Sequence, residues 1–148
     1  MTTTIPAYAF YNCVNYTSIT MNSVKSIGAY AFVGCEKLTD IGLGNQLESI
    51  GDYAFSGLSH LTELPLSSTL KSIGSYAFNG CTSLEGISLP EGLTSIGSYA
   101  FSGCTSLLKL TVPDAVTSIG TYAFSNCSSL ANISLPTNIT AIADYTFY

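Results

Sequence analysis

The feature that most constrains this chain is a motif, Ser-Ile-Gly-x-Tyr-Ala-Phe, that returns at an almost constant step along its whole length. The first step between motif phenylalanines is 22 residues, and the next five are 23 residues. These phenylalanines are Phe10, Phe32, Phe55, Phe78, Phe101, Phe124 and Phe147. A unit of roughly 20–30 residues cannot bury its apolar face alone and must stack on its neighbours. The repeat therefore predicts a solenoid that forms one domain over residues 1–148.

Residues 84–106 show how one unit of the repeat is expected to fold. Ile87 and Leu89 alternate inward as residues of a short strand do, and Pro90 ends that strand. A later set of inward positions recurs at i, i+1, i+4 and i+7, which is helical spacing and predicts a short helical turn on the opposite side. These positions are Ala100, Phe101, Cys104 and Leu107.

The number of strands and corners predicts how the solenoid ends. Each motif phenylalanine marks one of the helical turns, which we call corners, so the chain has seven corners. Only six complete strands are expected, so both ends should stop in a half-coil. Neither end shows the polar capping unit that solenoids normally carry. The expected strand centres are Ile19, Ile41, Leu64, Ile87, Leu110 and Ile133.

The pattern L-x-x-I-x-L-P-x-x-L-x-x-I-G-x-x-A-F-x-x-C resembles the BspA-like, or Treponema-type, class of leucine-rich repeat. The resemblance covers the entire chain. It implies a right-handed solenoid of about six coils with a parallel sheet on the concave face. With the helical turns expected opposite, the fold class is α/β. The resemblance also implies a secreted or cell-surface protein that attaches to host or matrix proteins or to other cells.

Composition excludes some classes of function. The net charge of −5, from four lysines and nine acids, leaves no basic surface of the kind that binds nucleic acid. No apolar stretch approaches the roughly 20 residues that a membrane-spanning helix needs. The start, Met1-Thr-Thr-Thr-Ile-Pro, lacks the basic and apolar regions of a signal peptide. We therefore expect either an intracellular protein or a sequence that begins inside a longer precursor.

The five cysteines share one position, three residues after a motif phenylalanine. Leu58 fills the same position in another coil, which favours buried free thiols in an apolar site over disulfides. Their spacing matches no zinc pattern, and we expect neither a metal site nor a cofactor. The cysteines are Cys13, Cys35, Cys81, Cys104 and Cys127.

Variable outward positions on the strands of the concave face form the predicted surface for a protein partner. Three of them are acidic and form a cluster that could hold a cation or a basic peptide, although a simple solvated patch is the plainer interpretation. The predicted contact residues are Asp40, Glu63, Glu85, Leu108, Lys109 and Asn132.

A row of tyrosines forms a predicted secondary surface. The tyrosine before each Ala-Phe pair lies off the inward stripe, so its ring should be exposed or half-exposed. Such a row could bind sugars or proteins, or the rings could merely cover one another. The residues of this row are Tyr30, Tyr53, Tyr76, Tyr99 and Tyr122.

The sequence contains no catalytic constellation. His60 is the single histidine and has no paired nucleophile or metal partner in the pattern, so we do not expect an enzyme. The leading hypothesis is a protein-binding module, part of a surface or secreted adhesin. The alternative is a structural protein that self-assembles through its uncapped ends. Six strands against seven corners oppose a seamless filament and favour a fragment of a longer repeat protein or a dimer through the ends.

Overall fold

The computed structural model describes residues 3–148 as stacked coils in register. Met1 and Thr2, with which the N-terminal stretch discussed above begins, lie outside the described residues. Each coil has three sides. We call them the L-x-x-I-x-L side (for example residues 38–43), the Ser-Ile side (residues 49–50) and the Tyr-Ala-Phe side (residues 53–55), with their equivalents in the other coils.

All strands are short and all strand pairs are parallel. Parallel in-register pairing between successive coils confirms the predicted parallel-sheet solenoid. The strands are β1 Thr4–Ile5, β2 Ser18–Thr20, β3 Ser26–Ile27, β4 Asp40–Gly42, β5 Ser49–Ile50, β6 Ser72–Ile73, β7 Ser95–Ile96, β8 Lys109–Thr111, β9 Ser118–Ile119 and β10 Asn132–Ser134.

The longest sheet lies on the Ser-Ile side, for which no strand was predicted. Its six strands run in the order β1-β3-β5-β6-β7-β9. Serine pairs with serine and isoleucine with isoleucine, as in Ser49↔Ser72 and Ile50↔Ile73. The isoleucines point inward and the serines outward, so a two-residue strand is enough to alternate between core and surface.

The sheet predicted on the L-x-x-I-x-L side is interrupted. Four of the six expected strands form, as the separate pairs β2-β4 and β8-β10, but the segments around Leu64 and Ile87 form no strand. Pro65 stands where β4 has Gly42, and proline has no N–H to donate to a neighbouring strand. Gly86 stands where β8 has Lys109, and glycine weakens a strand. The expectation of six continuous strands on this side was wrong.

The expected helical turns are also absent, since residues 3–148 contain no helix, and hence none able to span a membrane. Successive turns replace them: Ser56 N donates to Tyr53 O at 3.1 Å, and Leu58 N to Phe55 O at 3.4 Å. Tyr53 and Gly57 have φ angles of 57° and 78°. Two left-handed residues in one corner are incompatible with an α-helix. The corner instead bonds to the next coil, as Phe55 N does to Ala77 O at 2.8 Å.

The core is a set of columns, as the repeat predicts. The phenylalanine rings stack on one another, with centroid distances of 5.1 Å for Phe78–Phe101 and 5.4 Å for Phe55–Phe78. The inner rings are fully buried, and the leucine and isoleucine columns pack around them. The fully or almost fully buried phenylalanines are Phe32, Phe55, Phe78, Phe101 and Phe124.

A column of glycines marks the closest approach between coils. A Cβ atom built on Gly97 would lie 2.4 Å from the backbone N of Ser75 in the preceding coil. At the same point Gly97 N donates to Ile73 O at 2.9 Å. The motif glycine is therefore required because there is no room for a side chain between two hydrogen-bonded backbones.

Replacing Phe78 by alanine should destabilise the protein by about 3–5 kcal/mol, because a ring packed on both faces would leave a cavity. Urea unfolding measures this loss. The exposed Leu108→Ala variant serves as a control and should stay within about 0.5 kcal/mol of the native protein. A loss for Phe78→Ala as small as that of the control would mean that the column is not packed as described.

Two glycine-to-alanine substitutions should change the free energy of unfolding in different directions. Gly97→Ala should cost about 1–3 kcal/mol, because its Cβ meets backbone that cannot move without separating two coils. Gly86→Ala should be neutral or stabilising by up to about 1 kcal/mol, because nothing lies within 4 Å of the new Cβ. Thermal unfolding of the two variants in parallel checks the contrast, and equal effects would rule out the steric explanation.

Candidate binding surfaces

The six predicted contact residues all lie on the L-x-x-I-x-L side with exposed side chains. Asp40, Lys109 and Asn132 are the first residues of β4, β8 and β10. Glu63 and Glu85 lie in the two coils that form no strand on this side. Outward alternation along each segment places them at the surface, while Ile41 and Leu110 point to the core.

The structure brings the C-terminal members of the set together. Lys109 and Asn132 are direct partners in the β8-β10 pair. Leu108 precedes Lys109 and is 56% exposed, more than any other leucine of residues 3–148. The result is a patch with one apolar side chain, one cation and one amide.

The acidic members lie on one side of the molecule but in separate coils. Glu85 is tied to both neighbours through its backbone, since its N–H donates to Thr62 O at 3.1 Å and its carbonyl accepts from Leu108 N at 3.3 Å. Asp40 pairs with Ser18 instead of with the coil that carries Glu63. Within residues 3–148 no group of acids, histidines or cysteines could hold a metal ion. The acidic residues therefore share one side of the molecule without forming a defined cation site.

An opening in the backbone hydrogen bonding lies between the two acidic coils. Residues 64–66 and 87–89 form no strand, although strands border them on both sides of the stack. Among the described residues, the peptide groups of 64–66 and 87–89 have no backbone hydrogen-bond partner, although they lie between two ordered strand pairs. Sequence reasoning missed this opening, and Pro65 was the signal that could have revealed it.

The tyrosine row is a continuous stack of rings. Neighbouring centroids lie 4.5 Å apart for Tyr53–Tyr76 and 5.0 Å apart for Tyr8–Tyr30, with interplanar angles of 4° and 1°. The five inner rings are half-buried because each has a neighbouring ring stacked on both of its faces. Desolvation, and then the adjoining tyrosines, raise the pKa of Tyr122 above its ordinary value. Only ring edges and hydroxyls remain open to a partner.

Every tyrosine of this column has a left-handed backbone, with φ between 56° at Tyr99 and 61° at Tyr8. Such a conformation is rare for a bulky residue and costs of order 1–3 kcal/mol unless its surroundings impose it. Here the N–H groups of the inner tyrosines before Tyr122 donate to the next coil, as Tyr76 N does to Ser98 O at 2.9 Å. No signal in the sequence predicted this conformation, because glycine and asparagine are the usual residues there.

The cysteines form a column whose inner members Cys35, Cys81 and Cys104 are buried, while Cys13 and Cys127 are half-buried. The Sγ atoms of Cys81 and Cys104 donate to the carbonyls of Phe55 and Phe78 in the preceding coils, each at 3.2 Å. All five cysteines are free thiols, as expected. Burial raises the pKa of the Cys81 thiol to about 12 and that of Cys127 to about 11. These thiols are therefore poor nucleophiles at neutral pH.

The other chemically active side chains form no reaction centre. His60 is exposed, and its Nδ1 lies 2.9 Å from Glu36 O and 3.2 Å from Ser59 Oγ. A shallow groove of about 470 Å³ runs over the Ser-Ile sheet and is lined by the serines and glycines of the motif with Asp52. Because a carbonyl oxygen only accepts, the contact with Glu36 requires a proton on Nδ1 of His60, and that atom then cannot act as a base towards Ser59. Nothing in residues 3–148 shows a catalytic arrangement.

Comparison with known families identifies the repeat. The family model of the BspA type leucine-rich repeat region matches in six copies, over residues 3–107 and 58–148. No curated protein matches the sequence.

Solved structures share both sequence and fold. A leucine-rich repeat protein of T. pallidum is 30% identical with a TM-score of 0.89, and the match covers 98% of this chain and 71% of that one. A leucine-rich cell surface protein of Faecalibacterium prausnitzii is 36% identical (TM-score 0.83), covering 88% of this chain and 36% of that one. A leucine-rich repeat protein of Bacteroides ovatus is 34% identical (TM-score 0.81), covering 97% and 36%. The chain thus spans about a third of the length of the last two.

The buried thiols predict a loss of stability in alkali. Their pKa values are raised in the fold above the ordinary value of 9.0, so their contribution is complete below pH 9 and is lost as the pH rises towards 12. Each such thiol should lower the free energy of unfolding by up to about 1.4 kcal/mol per pH unit in this window. Guanidinium unfolding at about pH 8.5 and about pH 10.5 measures this slope. Cys81→Ala should show a shallower slope, and an unchanged slope would contradict the assignment.

Proposed function

Because the chain belongs to the BspA-type leucine-rich repeat family, we propose that it is a protein-binding module whose contact surface is the L-x-x-I-x-L side. Leucine-rich repeat proteins are typically non-enzymatic binding scaffolds. The observation that carries the proposal is the row of exposed, variable side chains that the stacked coils hold in register on this side. The other two sides repeat the same residues from coil to coil, so they offer little basis for recognising one partner.

The chemistry of this side favours a partner with matching features. Leu108 beside Lys109 provides an apolar contact with a cation at its edge, which suits an apolar side chain next to a carboxylate. Asp40, Glu63 and Glu85 extend the surface with negative charge, which suits basic residues on the same partner. The peptide groups of 64–66 and 87–89, which have no backbone partner among the described residues, add donors and acceptors for a partner backbone.

We further propose that the module acts at the cell surface or after secretion, as part of an adhesin. The leucine-rich cell surface protein of Faecalibacterium prausnitzii supports this placement, since it is 36% identical over 88% of this chain. The contact side chains are few and mostly small, so each coil adds little affinity. Several coils engaging at once would provide the strength that attachment requires.

The tyrosine row is a secondary contact surface in this proposal. Because the inner rings stack face to face, sugars and side chains cannot lie flat on them. A partner would instead meet a line of ring edges and hydroxyls, formed by Tyr30, Tyr53, Tyr76, Tyr99 and Tyr122. This arrangement favours hydrogen bonding over stacking at the surface.

Self-association through the ends is the second candidate. Both ends expose large apolar side chains, with Tyr8 55% exposed at one end and Tyr148 74% exposed at the other. Exposed aromatic residues are typical of surfaces that bind another protein. We rank this candidate lower, because a head-to-tail joint would bring the Phe147 corner of one chain against the Phe10 corner of the next with no strand of the L-x-x-I-x-L side between them.

Charge reversal tests the proposed contact surface. The triple variant Asp40→Lys, Glu63→Lys and Glu85→Lys should weaken binding to immobilised extracellular-matrix proteins by about tenfold or more, a loss of about 1.4 kcal/mol, because it places cations opposite basic partner groups. Biosensor titration of the purified chain measures this change.

The matched control is Glu36→Lys, Glu91→Lys and Asp144→Lys, which makes the same change in net charge at exposed positions outside the predicted set. This control should retain binding within about twofold. Equal losses for the two triples would show a general charge effect and remove the site assignment. Absence of binding by the native chain would contradict the proposed function itself.

A further inference from the structure

The column of motif glycines is interrupted at its two ends. Five coils carry glycine at this position, and each donates its N–H to the isoleucine carbonyl of the preceding coil at 2.8 or 2.9 Å. The first and last residues of the column are Pro6 and Ala143. The five glycines between them are Gly28, Gly51, Gly74, Gly97 and Gly120.

Ala143 coincides with a break in the stack. A Cβ at Gly120 would lie 2.3 Å from the backbone N of Ser98 in the coil before it. We count the coil of residues 107–129 as the fifth and that of 130–148 as the sixth. By the same geometry, the Cβ of Ala143 in the sixth coil cannot fit against the backbone of the fifth. Residues 141–142 accordingly form no strand with β9. Ile142 is 50% exposed, whereas Ile96 and Ile119 of the same column are 2% and 8% exposed.

Hydrogen bonds that join the earlier coils are missing from the described residues at this break. Tyr99 N donates to Thr121 O at 3.0 Å, but Tyr122 N makes no equivalent bond to Asp144. Thr117 N donates to Thr94 O at 3.0 Å, and the sixth coil has no counterpart to it. The edge of β9 is therefore left without a neighbour.

The break is local and is not a frayed end. Before it, β10 pairs with β8 in register. After it, Phe124 N donates to Thr146 O at 2.9 Å and Asn126 N to Tyr148 O at 2.8 Å. Only the Ser-Ile side of the sixth coil leaves the stack, and that is the side on which alanine replaces glycine.

Pro6 prevents the same contact at the other end of the column, for a different reason. Proline has no N–H to donate to the isoleucine carbonyl of a preceding coil. Its ring carbons also occupy space that this column leaves empty. At Gly28, the next position of the column, even a single Cβ would lie 2.4 Å from Ala7 N in the coil before it. A further strand added in register before β1 would find neither the hydrogen bond nor the space.

We propose that Pro6 and Ala143 prevent in-register strand pairing at the two ends of the Ser-Ile sheet, so that a second copy of this chain cannot extend the sheet end to end. The remaining surface of the ends does not block such an addition. On the Tyr-Ala-Phe side the N–H groups of Tyr145 and Phe147 point beyond the last coil, and the carbonyls of Ala7 and Ala9 occupy the matching positions at the first. Pro6 and Ala143 thus act against an association that the other groups would favour.

The first experiment measures closure of the sixth coil by amide hydrogen exchange. Ala143→Gly should let residues 141–142 pair with β9, so exchange at Tyr122, Thr140 and residue 143 should slow by about tenfold or more. Ala141→Gly adds the same backbone freedom two residues earlier and should give no slowing. Equal exchange in the two variants would overturn the role of Ala143.

The second experiment measures association by sedimentation velocity over a range of concentrations. The double variant Pro6→Gly with Ala143→Gly should form concentration-dependent oligomers larger than those of the native chain, while each single variant should not. A double variant that sediments like the native chain, with exchange showing a closed sixth coil, would overturn the proposal for Pro6. A native chain that already forms end-to-end filaments would overturn it for both residues.

Discussion

The structure depends on the contact between two backbones at the motif glycine. There, one coil donates an N–H to the carbonyl of the coil before it, with no side chain between them, as Gly74 does to Ile50. This contact fixes the separation and register of neighbouring coils. The phenylalanine and tyrosine stacks, with centroids 5.4 Å apart for Phe55–Phe78 and 4.5 Å apart for Tyr53–Tyr76, follow from that separation. Where alanine replaces glycine, the sixth coil loses the contact and the isoleucine beside it becomes exposed.

Most backbone bonding runs between coils, and this has consequences for function. Because the strands and corners both bond to the neighbouring coil, few side chains are needed to satisfy the backbone. Among the described residues a single ion pair is found, Lys25 with Glu48 at 3.9 Å, and both partners are exposed. Exposed pairs of this kind contribute at most about 1 kcal/mol. The outward positions of the L-x-x-I-x-L side are thus free to vary and suited to recognition.

The sequence predicted the period, the parallel stacking, the buried phenylalanines and the free thiols, because each of these follows from residue type at a fixed step. It did not predict the corner, since inward residues at i, i+1 and i+4 suit a run of turns as well as a helix, and tyrosine gives no sign of a left-handed backbone. The Ser-Ile sheet was missed because a two-residue strand is too short to show alternation. The exposure of Asp40 and Lys109 could be predicted from the repeat. The opening beside Pro65 was missed, although a proline within a predicted strand is a signal against that strand.

The glycine column also restricts how a gene for such a protein can change length. A duplicated segment of one period, placed between two existing coils, brings its own glycine and meets glycine on the next coil, so it joins the stack without altering any neighbour. The same segment placed next to Pro6 or Ala143 adjoins a position of the column without glycine, where the N–H to carbonyl bond of the other coils is missing from the described residues. Insertion of whole periods is therefore open to the glycine-bearing part of this solenoid, while a coil placed next to Pro6 or Ala143 first requires a substitution there.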